Sequence, residues 1–157
     1  MICHVTGDLL KGDVDIIAHQ VNCQGVMGSG VAKQIRERFP DAFRYYRNMC
    51  ERHQNKAELL GSAQFVSVKQ SAGRRIAIAN LFAQLTYGYD KRLYTSYDAL
   101  RVSLSRLRQY AETTNSKRIG LPYRIGCDRG GGDWDVVYKI ICEELHDCDV
   151  TLFELPK

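Results

Sequence analysis

Two spacings of apolar residues alternate along this chain. Runs with strand character occur at Met1–Val5, Val14–Val21, Ala63–Lys69, Arg75–Leu81, Arg118–Leu121 and Val150–Leu155. Val14–Val21 is almost wholly apolar, as expected of a strand covered on both faces, whereas Ala63–Lys69 alternates, as a half-buried strand does. Between these runs the period becomes helical. Gly30–Arg38 predicts a helix that ends at Pro40, and Asp41 is placed to cap a second helix running to about Arg52. Thr95 or Ser96 caps a long helix whose Tyr97, Leu100, Leu104, Leu107 and Ala111 share one face, leaving Arg101, Arg106 and Arg108 to solvent. Asp133 opens a last helix with Trp134, Val137, Ile141 and Leu145 inward. Strands interleaved with helices predict an α/β sandwich with some parallel pairing. The chain shows no repeat, low-complexity segment or linker, and its 157 residues suit a single domain over 1–157.

Two glycine-rich segments stand where this pattern breaks from strand to helix. The first, Gly25–Gly30, follows the apolar strand and opens the Gly30 helix. The second, Gly126–Gly132, lies between the Leu121 strand and the Trp134 helix. Glycine lets a ligand approach the backbone closely, and a helix N-terminus offers bare N–H groups and partial positive charge, so both segments suit phosphate. In open α/β sheets ligands bind beyond the carboxyl ends of the strands, which is where both segments fall. Facing one another, they would clamp a diphosphate. Tight turns with no ligand are the alternative. A dinucleotide fingerprint is disfavoured because Lys33 stands where the third glycine belongs, and a P-loop fails for want of Gly-Lys-Ser/Thr.

Composition narrows the picture modestly. A net charge of +4 is too small for a nucleic-acid coat, and the Arg74-Arg75 and Lys91-Arg92 pairs read as solvated surface. The six cysteines lack metal or disulfide spacing and sit mostly in apolar runs, which predicts free buried thiols in a reducing cytoplasm. Neither a secretory leader nor a membrane-length apolar run is evident, so a cytoplasmic location away from membranes is expected.

The order Gly7-Asp8-Leu9, then Ile17–Cys23 with Gly25–Ala32, then Pro122–Asp128, resembles a macrodomain over essentially the whole chain. The phrase Asn22-Cys23 through Met27-Gly28-Ser29-Gly30-Val31-Ala32 is most similar to one branch. That branch holds terminal ADP-ribose protein glycohydrolase, antitoxins that remove ADP-ribose from DNA, and the yeast-type ADP-ribose 1″-phosphate phosphatase. The resemblance implies a three-layer α/β/α sandwich around a mixed sheet of about six strands. It implies a cleft for ADP-ribose, free or attached to protein, nucleic acid or a metabolite, with no cofactor or metal and as a monomer. Asp8 would accept from the adenine amine, with the Leu9 backbone beside it. Asn22 would face the distal ribose, and Gly28, Ser29, Gly30 and Val31 would wrap that ribose and the diphosphate. Ile125, Gly126 and Cys127 would supply the second phosphate loop. Phe153 stands where the family often places an aromatic against adenine; an ordinary core phenylalanine is the alternative.

The resemblance also bears on chemistry. Glycohydrolases of the branch use a lysine near the end of the fourth strand as nucleophile, assisted by an aspartate of the second phosphate loop. Asp128 matches the aspartate, but Gln84 stands in the place of the lysine, and an amide has no nucleophilic amine. Lys91 lies further along the same loop as a substitute. Hydrolysis by water then falls to Asp128 as general base, with a capping or loop-stabilising carboxylate as its alternative. His19 is a second titratable candidate, although its place in an apolar strand favours a hydrogen bond inside the fold. Cys23 and Cys127 read as lining. These residues predict a hydrolase of an ADP-ribose derivative, or, with Gln84 inert, a non-catalytic ADP-ribose reader.

Overall fold

The computed structural model describes residues 1–157. Six strands, β1 (Ile2–Thr6), β2 (Ile16–Asn22), β3 (Ala63–Lys69), β4 (Arg75–Gln84), β5 (Arg118–Pro122) and β6 (Asp149–Glu154), form one sheet in the order β1-β6-β5-β2-β4-β3. All neighbours are parallel except β3, which runs antiparallel to β4 at one edge. Four helices, α1 (Gly30–Arg38), α2 (Pro40–Glu51), α3 (Tyr97–Thr113) and α4 (Trp134–Glu144), cover the two faces.

Strand alternation sorts the core into these layers. Ile16 and Ala18 of β2, with Ala77, Ala79, Leu81 and Ala83 of β4, pack against Leu100, Leu104 and Leu107 of α3 and Val137 and Ile141 of α4. On the other face, Ile17 and Ile78 meet Ile35 of α1, Phe39 and Ala42, and Val21 and Phe82 meet Tyr46 and Cys50 of α2. The sheet is therefore buried on both sides, as its apolar strands require. No helix is long and apolar enough to cross a membrane.

Several boundaries differ from the sequence expectation for local reasons. Pro40 starts α2 as well as ending α1, because its fixed φ suits the first helical position. Asp41 is then a first-turn residue, not the cap, and pairs with Arg44 at 3.0 Å. Ser96 caps α3 by accepting from the Ala99 N–H at 3.1 Å, and Asp133 caps α4 by accepting from the Asp135 N–H at 2.9 Å. Arg101 is not idle on the solvent face. It bridges α3 to α4 through Glu143 at 2.8 Å and Glu144 at 3.0 Å. The strands β2 and β4 run on to Asn22 and Gln84 through an irregularity in pairing at Val21/Asn22. That irregularity brings Asn22 and Gln84 side by side at the carboxyl edge.

Candidate ligand cleft

A cleft of about 330 Å³ opens at this carboxyl edge. Asn22, Gly28, Ser29, Gly30 and Val31 line it from the first glycine segment, and Ile125, Gly126 and Asp128 from the second. Gln84 stands at the end of β4, and Tyr87, Gly88 and Tyr89 continue from it along the wall.

The first segment is pinned from below. The buried Tyr46 hydroxyl accepts from the N–H groups of Gly25 and Val26, both at 3.1 Å, and lies 2.8 Å from the Asn22 carbonyl and side-chain oxygens. Asn22 itself accepts from the Gln24 N–H at 2.9 Å and donates to the Val26 carbonyl at 2.8 Å. The Gly25 and Val26 amides are thus spent inside the fold. The N–H groups of Gly30, Val31 and Ala32, in the first turn of α1, have no partner, and Ser29 makes no side-chain capping bond to relieve them. These are the donors left for a ligand.

The glycines of this segment divide by cause. Gly30 has φ of +59°, which favours glycine, yet nothing lies within 4 Å of where a Cβ would sit. At Gly28 a Cβ would meet only Val26, at an ordinary 3.5 Å. Neither packing nor backbone strain requires glycine at position 28, and the space beside it is open.

The second segment is built differently. A Cβ on Gly132 would lie 2.7 Å from the Gly126 carbonyl oxygen. One on Gly130 would fall against Thr95 Oγ1, and one on Gly131 on the Arg92 carbonyl oxygen. The Gly130 carbonyl accepts from Tyr94 and Thr95 at 2.8 and 3.0 Å, and the N–H groups of Ile125 and Cys127 bond back to Pro122 and Arg124. Here the glycines serve close packing, and the amides of Gly126, Asp128, Arg129 and Gly130 remain unpartnered. Asp128 is exposed, with no side-chain bond or ion pair. The capping role belongs to Asp133, so neither structural alternative for Asp128 is occupied.

Beneath this segment runs a chain of amides whose polarity is forced. Gln84 Nε2 donates to the Thr86 carbonyl at 2.9 Å, so its Oε1 is the acceptor and takes a hydrogen bond from Gln20 Nε2 at 2.8 Å. Thr95 Oγ1 donates to the Gly126 carbonyl at 2.8 Å and accepts the second Gln20 proton at 2.8 Å. Both Gln20 protons are used, and its Oε1 is left buried without a partner under Gly126. Gln84 is held at both ends of its amide. His19 lies on the opposite face, where Asn80 donates to the Ala42 carbonyl and accepts from His19 Nε2 at 2.6 Å. Burial pushes the His19 pKa down to about 4 against that hydrogen bond, so the imidazole is neutral.

Four residues expected at the ligand do not reach the cleft wall. Asp8 caps the 3-10 turn Leu9–Lys11 by accepting from the Leu10 N–H at 3.0 Å and pairs with Arg38 at 2.6 Å. Burial alone would raise its pKa, but the Arg38 and Leu10 bonds hold it below the usual carboxylate range. Its carboxylate therefore does structural work. Leu9 is buried in the core beside the Phe153 ring, which packs over Gly12 and Gly120, where a Cβ would meet it at 2.7 and 3.2 Å. Phe153 is half-buried, with its ring packed on the edge of this core. Cys127 is buried with its thiol on the Ile125 carbonyl, and burial pushes its pKa up to about 11. Burial, with Cys50 nearby, pushes Cys23 to about 12. Neither thiol is poised as a nucleophile. Lys91 also lies off the wall. The structure adds Gln20, Tyr87, Tyr89 and Arg129 to the wall. Their only sequence signal is position beside the strand ends.

A family model described as Macro domain matches residues 18–141. The chain belongs to the macrodomain family. DNA ADP-ribosyl glycohydrolase of Mycobacterium tuberculosis is 30% identical over 156 residues, covering 98% of this chain and 42% of that protein. This macrodomain thus spans less than half the length of the glycohydrolase it matches. ADP-ribose 1″-phosphate phosphatase of Scheffersomyces stipitis is 31% identical over 128 residues, covering 73% of this chain and 74% of the relative. Among solved structures, the macrodomain of Mycobacterium tuberculosis DarG superposes with a TM-score of 0.78 at 29% identity, covering 100% of this chain and 99% of that one. The six-stranded mixed sheet between two helical layers is the shared architecture.

Proposed function

We propose that this macrodomain binds ADP-ribose in the carboxyl-edge cleft and hydrolyses an ADP-ribose derivative, either ADP-ribose 1″-phosphate or an ADP-ribosyl ester. The bound group is free ADP-ribose or ADP-ribose carried on protein, nucleic acid or a metabolite. The single observation that carries the binding half is the opening at Gly28 and Gly30, where nothing crowds the space a Cβ would take, beside three unpartnered N–H groups. In this reading the diphosphate lies on the Gly30–Ala32 amides, where the helix end favours negative charge. Gly126 and the amides beyond it close from the other side. Asn22 and Gln84 border the distal ribose.

The unpartnered carboxylate of Asp128 supports the chemical half. As general base it would take a proton from a water as the water oxygen forms a bond to phosphorus. The ribose oxygen then leaves with the electron pair of the broken O–P bond and is protonated, giving ADP-ribose and inorganic phosphate. For an ester link the same water would attack the anomeric carbon of the distal ribose; the C–O bond to the ester breaks, its electron pair leaves with the carboxylate, and the products are ADP-ribose and the free acid. A lysyl adduct is not part of this mechanism, because Gln84 offers only an amide bonded at both ends.

That fixed Gln84 amide also favours a second reading, in which the cleft binds ADP-ribose without turnover. Product release from both substrates, measured alongside calorimetry with ADP-ribose, separates the two. The hydrolase reading expects phosphate or ADP-ribose to be released by the parent chain and not by Asp128→Ala. Binding without product from either substrate selects the reader.

A further inference from the structure

Beyond Gln84 the chain does not leave the cleft but arches over its end. Asp90 accepts from the Tyr94 hydroxyl at 2.6 Å and pairs with Arg92 at 3.1 Å, which ties the arch into a compact turn. Tyr94 and Thr95 donate to the Gly130 carbonyl, and Gly131 packs on Arg92, so the arch is fastened to the second glycine segment. On the cleft side the same two segments meet again, where the Arg129 guanidinium lies 4.3 Å from the centre of the Tyr89 ring. Arg129 forms no ion pair, not even with neighbouring Asp128, and none of its side-chain N–H groups donates within the protein. A cation–π contact pins a guanidinium while leaving all five of its donors free. The result is a cation on the cleft wall, stacked on the Tyr89 ring and next to Asp128 in the chain.

We propose that Arg129, held on Tyr89, is the specificity-determining residue of this cleft and selects ligands that carry a phosphate monoester on the distal ribose. This rests on the ADP-ribose reading above, which puts the distal ribose beside Asn22 and Gln84. A guanidinium meets a terminal phosphate with paired, charge-assisted hydrogen bonds. It also offsets the repulsion between that phosphate and the Asp128 carboxylate. Plain ADP-ribose ends in a neutral hydroxyl there and gains nothing from Arg129.

The test is calorimetry of ADP-ribose and ADP-ribose 1″-phosphate on an Asp128→Asn chain, which holds the phosphorylated ligand intact. The phosphorylated ligand binds about tenfold more tightly at pH 7, and the ratio shrinks towards pH 5 as the monoester loses its second charge near pH 6. Adding Arg129→Ala brings the ratio to about one, Arg129→Lys restores part of it, Tyr89→Ala lowers it, and Tyr89→Phe keeps it. A ratio near one before any Arg129 change, or a ratio that survives Arg129→Ala, overturns the assignment. A pH-independent preference for an ADP-ribosylated oligonucleotide, lost in Arg129→Ala, overturns the monoester in favour of a phosphodiester. Failure to bind ADP-ribose at all removes the cleft reading itself, which distinguishes that failure from loss of the Arg129 assignment.

Discussion

The two glycine segments that face each other across the cleft resemble one another in sequence and differ in construction. In the first, Gly28 and Gly30 border open space, and three unpartnered amides belong to the first turn of α1, whereas the four unpartnered amides of the second lie within the loop itself. In the second, Gly130, Gly131 and Gly132 are small because Thr95, Arg92 and Gly126 press on them, and α4 has its own cap in Asp133. The glycines of the first segment are left open, whereas those of the second are required by the protein's own packing. Under the proposed function the labour would divide, with the first segment holding the diphosphate and the second bringing Asp128 and Arg129 to the cleft wall.

The sharpest way to break this division is Asp128→Asn. If the second segment carries the chemistry, turnover of the preferred substrate falls by about 100- to 10,000-fold, the usual range for loss of a general base, while ADP-ribose affinity stays within a few-fold. Equal turnover in both chains removes Asp128 from the mechanism.

Substitution of the glycines tests the other half. Gly28→Val keeps the unliganded melting temperature, because a Cβ there meets only Val26 at 3.5 Å, but lowers ADP-ribose affinity by at least 100-fold, about 3 kcal/mol. Gly131→Ala does the reverse. Its φ is +69° and its Cβ would fall on the Arg92 carbonyl, so the free protein loses about 1–3 kcal/mol, read as a drop of several degrees in melting temperature. If both variants weaken binding and leave stability alone, the two segments are built alike and the contrast fails.

How much of this contrast the sequence discloses depends on whether the cause is local. The helices α3 and α4 and the apolar β2 follow from periodicity and caps such as Ser96 and Asp133, which act within a few residues. Boundaries shift by a few residues, as where Pro40 serves two helices, where β2 starts at Ile16 and not Val14, and where β2 and β4 fall out of register. Both glycine segments and Asp128 are contiguous motifs and are legible too. What separates the segments is not. Tyr46 lies 24 positions from Asn22, and Thr95 lies 31 from Gly126, so the bonds that fix each loop are tertiary. Position after the first strand and the resemblance point Asp8 to the ligand, and the resemblance alone points Phe153 there. Besides its local bond to the Leu10 N–H, the Asp8 carboxylate pairs with Arg38, and the Phe153 ring packs over Gly12 and Gly120; these distant partners are not visible in the sequence.

Acid probes the floor under the cleft. The unfolded imidazole of His19 takes up a proton near pH 6.5, but the folded one resists until about pH 4. Unfolding is therefore coupled to proton uptake, so the His19 contribution is complete above about pH 6.5 and is lost as pH falls below it. The loss reaches about 3 kcal/mol at pH 4. Chemical denaturation at pH 7 and pH 4 checks this, with His19→Gln showing a smaller acid loss than the parent. Identical losses in both chains would assign the acid sensitivity to the carboxylates instead.

The smallest effect expected is at Tyr46, and it reports on how firmly the first segment is held. Tyr46→Phe removes the acceptor for the Gly25 and Val26 amides and the hydroxyl that faces Asn22, while the ring stays packed on Phe82 at 5.6 Å. Leaving those groups unpaired costs about 1–3 kcal/mol of stability. Binding should suffer less, by a few-fold in ADP-ribose affinity, because the amides of Gly30 to Ala32 belong to α1 and keep their place when Gly25 and Val26 loosen. Denaturation and calorimetry on the same variant give both numbers. A loss of affinity as large as that of Gly28→Val would mean that the donors are set by the pinned turn rather than by the helix, and the first segment would then be as dependent on internal packing as the second.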